Sequence, residues 1–304
     1  MVLKRNVKYI AAVSGGPDSI ALLHKYRKYI AIVCHVNYCK RADSNHDTKI
    51  VSDYCKQYHI PLKILVVKKS IYDNSDISNF QALARKIRYD FFEKVGKKYN
   101  INNVLVAHHF DDFLETAIMQ ENRKSLNFFY GIKPINYYKT LTIYRPLIKF
   151  TKKQIISYCH HKNLIYAIDS TNAQPMYERN CVRKKLQKHS FLWKYFKFWK
   201  IRCHNIKAYS KEKKAYRAFK AWQKSNYSLV VFKNFSNKIQ DQILYLLFKQ
   251  NNTNRININK INGLKTYILS SKAKSGFRLS NSMIFTKKNK CLILVKKTNH
   301  ETKK

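Results

Sequence analysis

The chain has 304 residues, 45% of them hydrophobic and 25% charged, a composition typical of a folded globular protein and not of a disordered one. A formal net charge of +43 favours a polyanionic partner, nucleic acid first and a membrane surface second. No apolar run is long enough for a membrane helix, and seven scattered cysteines without a C-x-x-C pair argue against a disulfide framework and a structural zinc site.

The first half of the chain alternates apolar runs with helical patterns, which predicts a parallel α/β sheet. The apolar runs predict strands at 7–13, 29–36, 62–67 and 103–109, and a fifth in "LTIYRPLIKF". Helical spacing predicts helices at 17–28, 46–58, 78–100 and 111–121, and one that a Thr151-x-x-Gln154 capping box begins. The basic amino terminus leads into a glycine turn without a cleavage site, so we expect a first strand, no signal peptide and a cytoplasmic protein.

The second half is strongly basic. From Arg183 to the end, 31 Lys and Arg residues stand against three acidic ones, so +28 of the +43 lies there. The run "FLWKYFKFWK" fits either core packing or a base-stacking platform, and a Lys-rich helical stretch follows it. The stretch "FRLSNSMIFTKKNKCLILVKK" predicts a hairpin, with two apolar runs around Lys-Lys-Asn-Lys. We therefore predict two domains, 1–195 and a smaller basic α+β domain over 196–304.

The stretch "SGGPDS" joins the first predicted strand to the first helix. Its two glycines allow a tight turn and a close approach of a ligand to backbone N–H groups at a helix N-terminus. That arrangement suits a phosphate, although neither a Walker A motif nor a G-x-G-x-x-G turn is present. An ordinary strand-to-helix turn is the alternative. The residues concerned are Ser14, Gly15, Gly16, Pro17, Asp18 and Ser19.

A second polar constellation is "AHHFDDFLET", at the end of another predicted strand. His108 precedes the helix, and Asp112 and Glu115 are three residues apart, hence on one face of it. Such a set could hold Mg²⁺, orient an amine or act as a base. The alternative is an acidic helix N-terminus that the helix dipole favours.

These stretches resemble known motifs. "SGGPDS" is similar to the pyrophosphate loop of the N-type ATP pyrophosphatases, and "AHHFDDFLET" resembles the "AHHxDDQxET" segment of the tRNA(Ile)-lysidine synthase family, with Phe113 in place of Gln. The resemblance runs in order from about residue 7 to 190. It continues at "CHVNYCKRADSNHD" with His35, at "NFQALARKIRYDFF" with Arg85 and Arg88, at "RPLIKFTKKQI", and at "IDSTNAQPMYERNCVR" with Arg179 and Arg183.

One segment departs from the family. Where the family has a glycine-rich "RGxGxxGLxG" stretch, this chain has "ENRKSLNFFYGIKPI", with only Gly131 retained. The geometry of residues 121–135 is therefore open. The carboxyl-terminal part also resembles only the first of the two modules found in longer members.

The resemblance implies a PP-loop fold, that is, an adenine nucleotide alpha-hydrolase-like parallel sheet, with a catalytic first domain and a tRNA-binding second one. It implies that ATP adenylates the wobble cytidine of an isoleucine tRNA with a CAU anticodon, and that L-lysine then displaces AMP. The loop residues Ser14 to Ser19, with His35 and Arg88, would bind ATP. Whether the enzyme is a homodimer stays open.

The other implied roles concern catalysis and the remaining substrates. Asp112, with His108 and Glu115, is predicted to be catalytic. Glu115, Arg85, Arg179 and Arg183 are predicted to bind lysine or tRNA, and Asp18 and Asp112 to bind Mg²⁺. For the arginines the alternatives are a solvated helix face (Arg85, Arg88) and local pairing (Arg179, Arg183).

Two other functions remain alternatives. A PP-loop tRNA thiolase would need a reactive or cluster-binding cysteine, commonly in a C-x-x-C pair, which the chain lacks. A basic RNA-binding protein without activity would bind RNA with a steep salt dependence and release no pyrophosphate. The intact set of His108, Asp112 and Glu115 argues against the second alternative.

Overall fold

The computed structural model describes residues 3–39, 44–68, 80–123, 128–167, 178–251, 256–270, 276–279 and 283–296. The chain divides into two compact units, Met1–Thr116 with Gly131–Ser190, and Ala117–Tyr130 with Phe191–Lys304. None of the helices in the described ranges combines the length and the apolarity needed to cross a bilayer.

The first unit is built on a six-stranded sheet. Its strands are β1 (Tyr9–Ala12), β2 (Ile30–Asn37), β3 (Leu62–Val66), β4 (Asn103–Leu105), β5 (Ile135–Tyr138) and β6 (Leu141–Tyr144). They are ordered β3-β2-β1-β4-β6-β5, and every neighbouring pair is parallel except the edge pair β5–β6. The predicted mostly parallel α/β fold is confirmed, while the antiparallel edge strand β5 was not predicted.

Two strands are shorter than predicted, because the residues after them turn out of the sheet. β4 ends at Leu105 instead of 109, and β6 ends at Tyr144. Beyond these ends, Arg145 Nε donates a hydrogen bond to His108 Nδ1 at 3.0 Å and Arg145 Nη1 donates to the Lys133 carbonyl at 2.7 Å. The polar side chains that follow each strand thus bond to one another at the sheet's edge instead of extending the ladder.

The described helices of the first unit are α1 (Pro17–Tyr26), α2 (Ser44–Gln57), α3 (Phe80–Tyr99), α4 (Phe110–Asn122), α5 (Lys152–His161) and α6 (Glu178–Gln187). The predicted capping box before α5 is confirmed. The Thr151 hydroxyl accepts from the backbone N–H of Gln154, and the side-chain oxygen of Gln154 accepts from the backbone N–H of Thr151. Ser78, a plausible N-cap of α3, lies outside the described residues.

Both faces of the sheet carry an apolar core, because successive strand residues point to opposite sides. Tyr9 and Ala11 of β1 pack in a cluster with Ile20 and Leu23 of α1. Ile10 lies on the other face with Tyr89, Phe92 and Val95 of α3, among others. This double burial explains why the strand sequences are nearly continuous apolar runs.

The second unit combines helices with a small antiparallel sheet. Its described elements are α7 (Phe191–Lys224), α8 (Leu229–Lys233), α9 (Asn237–Gln250), α10 (Ile258–Leu269), β7 (Phe277–Arg278), β8 (Met283–Lys288) and β9 (Cys291–Lys296). The predicted hairpin is β8–β9, and its turn residues Asn289 and Lys290 have φ of 52° and 58°. Two positive φ values are what a type I′ hairpin turn requires.

The aromatic run and the Lys-rich stretch form the single helix α7. It buries a narrow stripe at spacings of three, four and seven residues: Phe198, Ile201, Asn205, Ala208, Ala215, Phe219 and Trp222. Its carboxyl-terminal half packs in a core centred on Trp222, which is fully buried beside Phe232, Ile243 and Phe248. The other faces of α7 are mostly exposed.

Candidate active site

The predicted site residues gather at one edge of the sheet. The chain passes from β1 through β2 to β3 and then returns to β4 on the other side of β1. At such a topological switch point the loops after the strands diverge and leave a crevice, which is the usual ligand site of open α/β sheets. The "SGGPDS" loop follows β1, and the "AHHFDD" segment follows β4.

The loop is held by the hydroxyl of Ser19. Ser19 Oγ donates to the Gly16 carbonyl at 2.9 Å and accepts from the Ser14 N–H at 3.1 Å. Since its one proton is used, the Ser14 hydroxyl is the donor in the Ser14–Ser19 contact at 3.2 Å. Gly16 is the N-cap of α1 and has no side chain with which to cap it, and Pro17 is the first helical residue. Pro17 has no N–H and the Ser19 N–H bonds to the Gly16 carbonyl at 3.1 Å, so in the first helical turn the Asp18 N–H is the donor left for an anion.

Gly15 is required by its conformation and by its neighbour. Its φ is +96°, and a Cβ there would lie 3.2 Å from both Cβ and the carbonyl oxygen of Asp47 in α2. Its own carbonyl accepts from the Ala167 N–H at 2.9 Å. The turn is thus built for a residue without a side chain.

Beside the loop lies a cleft of about 200 Å³. Ser14, Gly16, Asp18 and Ser19 line one end, and the rest of the wall consists of Ala12, Val13, Cys34, Val36, Tyr38, Arg88, Tyr89, Phe92, Val106, Ala107 and His108. A polar end and a largely apolar wall suit a ligand with a phosphate group and a flat apolar part. Of the two predicted α3 arginines, Arg88 lines the cleft. The other, Arg85, is exposed and lies over the Tyr89 ring at 4.7 Å.

His35 lies beneath the phosphate loop, 2% exposed, and does not line the cleft. Its Nδ1 is 2.9 Å from the Val13 carbonyl, so Nδ1 carries a proton and donates, while Nε2 is 3.0 Å from Thr48 Oγ1. Burial lowers its pKa, although the bond to Val13 and the charge of Asp47 act the other way. His35 therefore supports the residue before the loop.

His108 faces the cleft as a neutral imidazole. Burial and the adjacent Arg145 guanidinium hold its pKa well below the usual value of 6.5. Because Arg145 donates to Nδ1, the ring proton is placed on Nε2. His108 is therefore arranged to donate a hydrogen bond from Nε2 and not to accept a proton there.

Asp112 and Glu115 form an ion-pair network with two arginines of α6. Arg179 donates to Asp112 Oδ1 and to Glu115 Oε2, both at 2.6 Å, and Arg183 Nε donates to Glu115 Oε1 at 2.7 Å. The Glu115 side chain is 2% exposed, whereas the arginine side chains are 41% and 37% exposed. The four side chains are together neutral. The structure thus brings the predicted carboxylates and the predicted arginines into one cluster.

Asp112 also stabilises its own helix. Its Oδ2 accepts from the His109 N–H, the N-cap position of α4, at 3.0 Å. Oδ2 of Asp112 therefore acts as the acidic group of a helix N-terminus, which was the alternative interpretation, while Oδ1 accepts from Arg179.

Asp18 is held by two groups that the sequence did not single out. Lys152 Nζ, at the first residue of α5, lies 2.8 Å from Oδ1 and 2.7 Å from Oδ2 of Asp18. His109 Nε2 lies 3.8 Å from Asp18 and 3.4 Å from Asp112. Burial disfavours the His109 cation, but the carboxylates of Asp111, Asp112 and Asp18 outweigh it and raise its pKa. His109 thereby links the phosphate loop to the carboxylate cluster.

The two expected Mg²⁺ ligands have other partners in this arrangement. Lys152 occupies both oxygens of Asp18, and the His109 N–H and Arg179 occupy those of Asp112. Within the described ranges, no three His, Cys, Asp or Glu side chains are grouped as a metal site would need. Asp18 and Asp112 therefore do not form a preformed metal site, and magnesium binding by them stays a prediction.

Sequence reasoning missed Arg145, His109 and Lys152. Arg145 precedes the proline of "RPL", His109 is the second residue of the histidine pair, and Lys152 lies in "RPLIKFTKKQI", so the quoted motifs contained all three. Lys152 offers a different signal. A lysine in the first turn of a helix opposes the helix dipole, which points to a nearby acidic partner.

Comparison with known proteins bears on the whole chain. Residues 3–190 match the family model described as a PP-loop domain. A tRNA(Ile)-lysidine synthase of Ureaplasma parvum is 50% identical over 180 residues, which are 59% of this chain and 54% of that protein. The enzymes of the same name from Malacoplasma penetrans and Mycoplasma genitalium are each 38% identical and match 94% and 96% of this chain and 98% of their own length.

Among solved structures, the U34-tRNA thiolase NcsA from Methanococcus maripaludis with its [4Fe-4S] cluster superposes with a TM-score of 0.55. It is 20% identical, and the match covers 68% of this chain and 73% of that one. This likeness is one of fold alone.

Proposed function

Since the chain belongs to the tRNA(Ile)-lysidine synthase family, a family of ligases, we propose that it joins free L-lysine to C2 of the wobble cytidine of an isoleucine tRNA with a CAU anticodon. This modification would change the codon read from AUG to AUA. The observation that carries the proposal is the pair Asp112 and Glu115, which lies at the same sheet edge as the "SGGPDS" loop and is linked to it through His109. One site could therefore hold both the ATP phosphates and an amine.

In the first step the C2 oxygen of the cytidine would attack the α-phosphorus of ATP, and pyrophosphate would leave. Backbone N–H groups of the glycine turn and of the start of α1 would hold the departing phosphates. The apolar wall of the cleft, with Tyr38 and Val36, would receive the adenine, and Arg88 and the His108 Nε2–H could bind oxygens that gain negative charge. His35 would act through the loop it supports.

In the second step the ε-amine of lysine would attack C2, and AMP would leave with the bonding electrons of the C2–O bond. The amine must first lose a proton. Asp112 is the carboxylate that we place closest to this chemistry, because it is both less buried than Glu115 and nearer to Asp18 through His109. Glu115 would hold the ammonium group, and Arg179 and Arg183 would meet the lysine carboxylate or the tRNA backbone.

For lysine to bind, Arg179 and Arg183 would have to share Asp112 and Glu115 with an ammonium group of the lysine. In the network the charges of Asp112 and Glu115 are already balanced, so a zwitterionic ligand fits better than a bare cation. Once its ε-amine has lost its proton, lysine carries one carboxylate for an arginine and one α-ammonium for a carboxylate, which keeps the charges of the network paired. Mg²⁺ would take part only as an ion bound to the ATP phosphates. We expect the protein to act in the cytoplasm, where ATP and tRNA are found.

The test is incorporation of labelled lysine into tRNA, with release of pyrophosphate measured in parallel. We expect lysine-dependent labelling with ATP and the isoleucine tRNA, and none with the methionine tRNA that shares the CAU anticodon. Asp112→Asn should abolish labelling and leave tRNA affinity nearly unchanged. Asp90→Asn, the same change on the surface of α3, is the matched control and should keep full activity.

Two outcomes would replace the proposal. Label that enters the tRNA only from a sulfur donor would make the protein a thiolase. Binding of tRNA without pyrophosphate release under any condition would make it an RNA-binding protein without activity. Burial raises the pKa of the Cys34, Cys55 and Cys159 thiols, whereas Cys39, Cys181 and Cys203 are exposed. It is the missing C-x-x-C pair that does not favour the first outcome.

A further inference from the structure

The amino-terminal part of α7 presents aromatic rings to solvent. Five rings between 191 and 199 are exposed by 38% to 68% of their surface, and Phe198 alone of the aromatic residues in that range is buried. The exposed rings are Phe191, Trp193, Tyr195, Phe196 and Trp199. Large exposed apolar patches of this kind mark interaction sites. Core packing, one of the two interpretations of this run, therefore accounts for one ring of six.

Three of these rings form a row, the ring ladder Phe191, Tyr195 and Trp199, whose neighbouring ring planes are inclined to each other by 30° and 69°. They are four residues apart, so they lie one above another on one face of the helix. The ring centroids are 5.9 Å apart between Phe191 and Tyr195 and 6.0 Å apart between Tyr195 and Trp199. Each ring is between 40% and 56% exposed, which leaves surface for a further flat group.

Positive charge surrounds the ladder. The sequence of α7 contains eleven Lys and Arg residues and a single acidic one, Glu212. Lys194 and Lys200 are interleaved with the ladder residues, and the Arg202 guanidinium lies 5.4 Å from the Trp199 ring centroid. A second copy of this chain is a poor occupant, because it would bring eleven more positive charges against the same face.

We propose that the ring ladder stacks on unpaired bases of an RNA strand, while Lys194 and Lys200 contact its phosphates. Rings that alternate with cations match the two parts of a single-stranded nucleic acid, whose bases offer flat faces and whose backbone is anionic. The inference rests on the proposed function, because the RNA would be the tRNA substrate. It assigns the contact of the second unit with an unpaired tRNA segment to one face of α7. Base stacking tolerates any sequence, so the ladder supplies affinity and leaves discrimination between tRNAs to other contacts.

The test compares two probes with the full-length protein. One is a short unstructured oligoribonucleotide, and the other is an abasic oligomer of the same length and charge. We expect the first to bind more tightly and to quench tryptophan fluorescence, since Trp193 and Trp199 are exposed while Trp222 is fully buried. Equal affinity for both probes would overturn the proposal, because it would leave only phosphate contacts.

Substitution of the ladder separates stacking from charge. The triple change F191L/Y195L/W199L keeps apolar helix-forming residues and should weaken oligoribonucleotide binding by about 5-fold to 100-fold for each base that loses its ring. Binding of the abasic oligomer and the slope of affinity against salt should not change. Tyr209→Leu, at a ring of the same helix that is 69% exposed and outside the ladder, is the matched control and should bind as the wild type does.

The charge arm uses the double change K194Q/K200Q. It should weaken both probes and lower the salt slope by up to about 2, because fewer counterions are released. Should the triple variant fail to fold, Trp199→Phe and Trp193→Phe decide: the first should keep affinity and lose more of the quenching than the second, which changes an exposed ring outside the ladder. An altered oligomeric state of the ladder variants with unchanged RNA binding would assign the face to a second copy and refute the proposal. Loss of lysine incorporation alone, with the probe difference intact, would refute the proposed function and not the ladder.

Discussion

Glu115 is an acidic side chain almost completely removed from water, at 1% exposure of the residue. A buried carboxylate is costly unless every charge is matched, and here two guanidinium groups supply the match. The arginines reach it from α6, some sixty residues later in the chain. The ion pairs of Glu115 with Arg179 and Arg183 therefore connect α6 to α4 and also hold the side chains of the site in place.

The stability role of Glu115 can be measured separately from activity. We expect Glu115→Gln to lower the free energy of unfolding by about 2 kcal/mol, because two charge-assisted hydrogen bonds are weakened while the freed arginines can still reach water. Glu121→Gln is the matched control on the same helix, and its exposed pair with Lys197 should matter by less than about 1 kcal/mol. Urea unfolding compares the two, and equal losses would contradict the structural role of Glu115.

His108 gives the protein a definite response to acid. Its folded pKa is depressed, so below the unfolded value of about 6.5 the unfolded chain binds a proton that the folded chain does not. The contribution of His108 to the free energy of unfolding should therefore be fully present above pH 6.5 and fall as the pH drops below it, by at most about 1.4 kcal/mol per pH unit, while the raised pKa of His109 contributes in the opposite direction. Burial depresses the pKa of His35 in the same direction.

Unfolding in urea at a series of pH values between 7 and 5 tests this response. His108→Gln keeps an acceptor for Arg145 and removes the titration, so its stability should fall less steeply with acid than that of the wild type. His161→Gln, on the exposed end of α5, is the control and should keep the wild-type slope. A His108→Gln variant as acid-sensitive as the wild type would show that the ring is protonated in the folded state.

The sequence predicted most of the residues at the site but few of their partners. Motif spacing identified the loop, His108, Asp112 and Glu115, because those residues follow strand ends that must meet at one edge. It could not show that Arg179 and Arg183 bind the same carboxylates, since helix α6 is far away in the chain. Nor could it show that Lys152 neutralises Asp18, which depends on where α5 begins relative to α1.

At the level of elements, Gly131 is the one glycine that this chain keeps where the family resemblance predicts a glycine-rich stretch. Its φ is +80°, and a Cβ on it would lie 2.6 Å from the ring of Phe113. Phe113, at the position where the resembling motif has Gln, is 1% exposed. A side chain at position 131 is thus disfavoured both by the backbone conformation and by the Phe113 ring in α4.

Helix α7 shows why its role could not be fixed from sequence. Only a narrow stripe of the helix is buried, and aromatic and basic residues are distributed around its other faces, so helical periodicity of the apolar residues is weak. The sequence could therefore favour neither of its two interpretations. Burial, which depends on the partners that α7 meets in the fold, separates the one packed ring from the five exposed rings.

Asn205 is a polar residue on the buried stripe of α7, and it has a defined task. It accepts from the Tyr130 N–H and donates to the Tyr130 carbonyl, both at 2.9 Å. Asn205→Ala should lower the free energy of unfolding by about 1–3 kcal/mol, because it leaves two backbone groups without partners. Cys203→Ala, at an exposed position of the same helix, should have almost no effect. Thermal or urea unfolding compares them, and equal stabilities would mean that water replaces the side chain.

At the scale of the whole molecule, most of the positive charge and the motifs predicted to be catalytic lie in different parts of the chain. The family match ends at residue 190, and the strongly basic sequence begins near residue 183. The expected division after residue 195, with catalysis before it and tRNA binding after it, stays a prediction. The structure places its own division before Phe191.

The path of the chain limits how the protein can be dissected. Residues Ala117–Tyr130 belong to the second unit although they precede the last third of the first. Phe128 is buried in the second unit's core, with its ring 5.4 Å from that of Tyr245, and Tyr130 depends on Asn205. A stop codon after Ser190 would leave these residues in the fragment while removing what covers them. A fragment that ends there would expose these apolar side chains and is expected to aggregate. The roles of the two units should therefore be tested with single substitutions in the full-length protein and not by truncation.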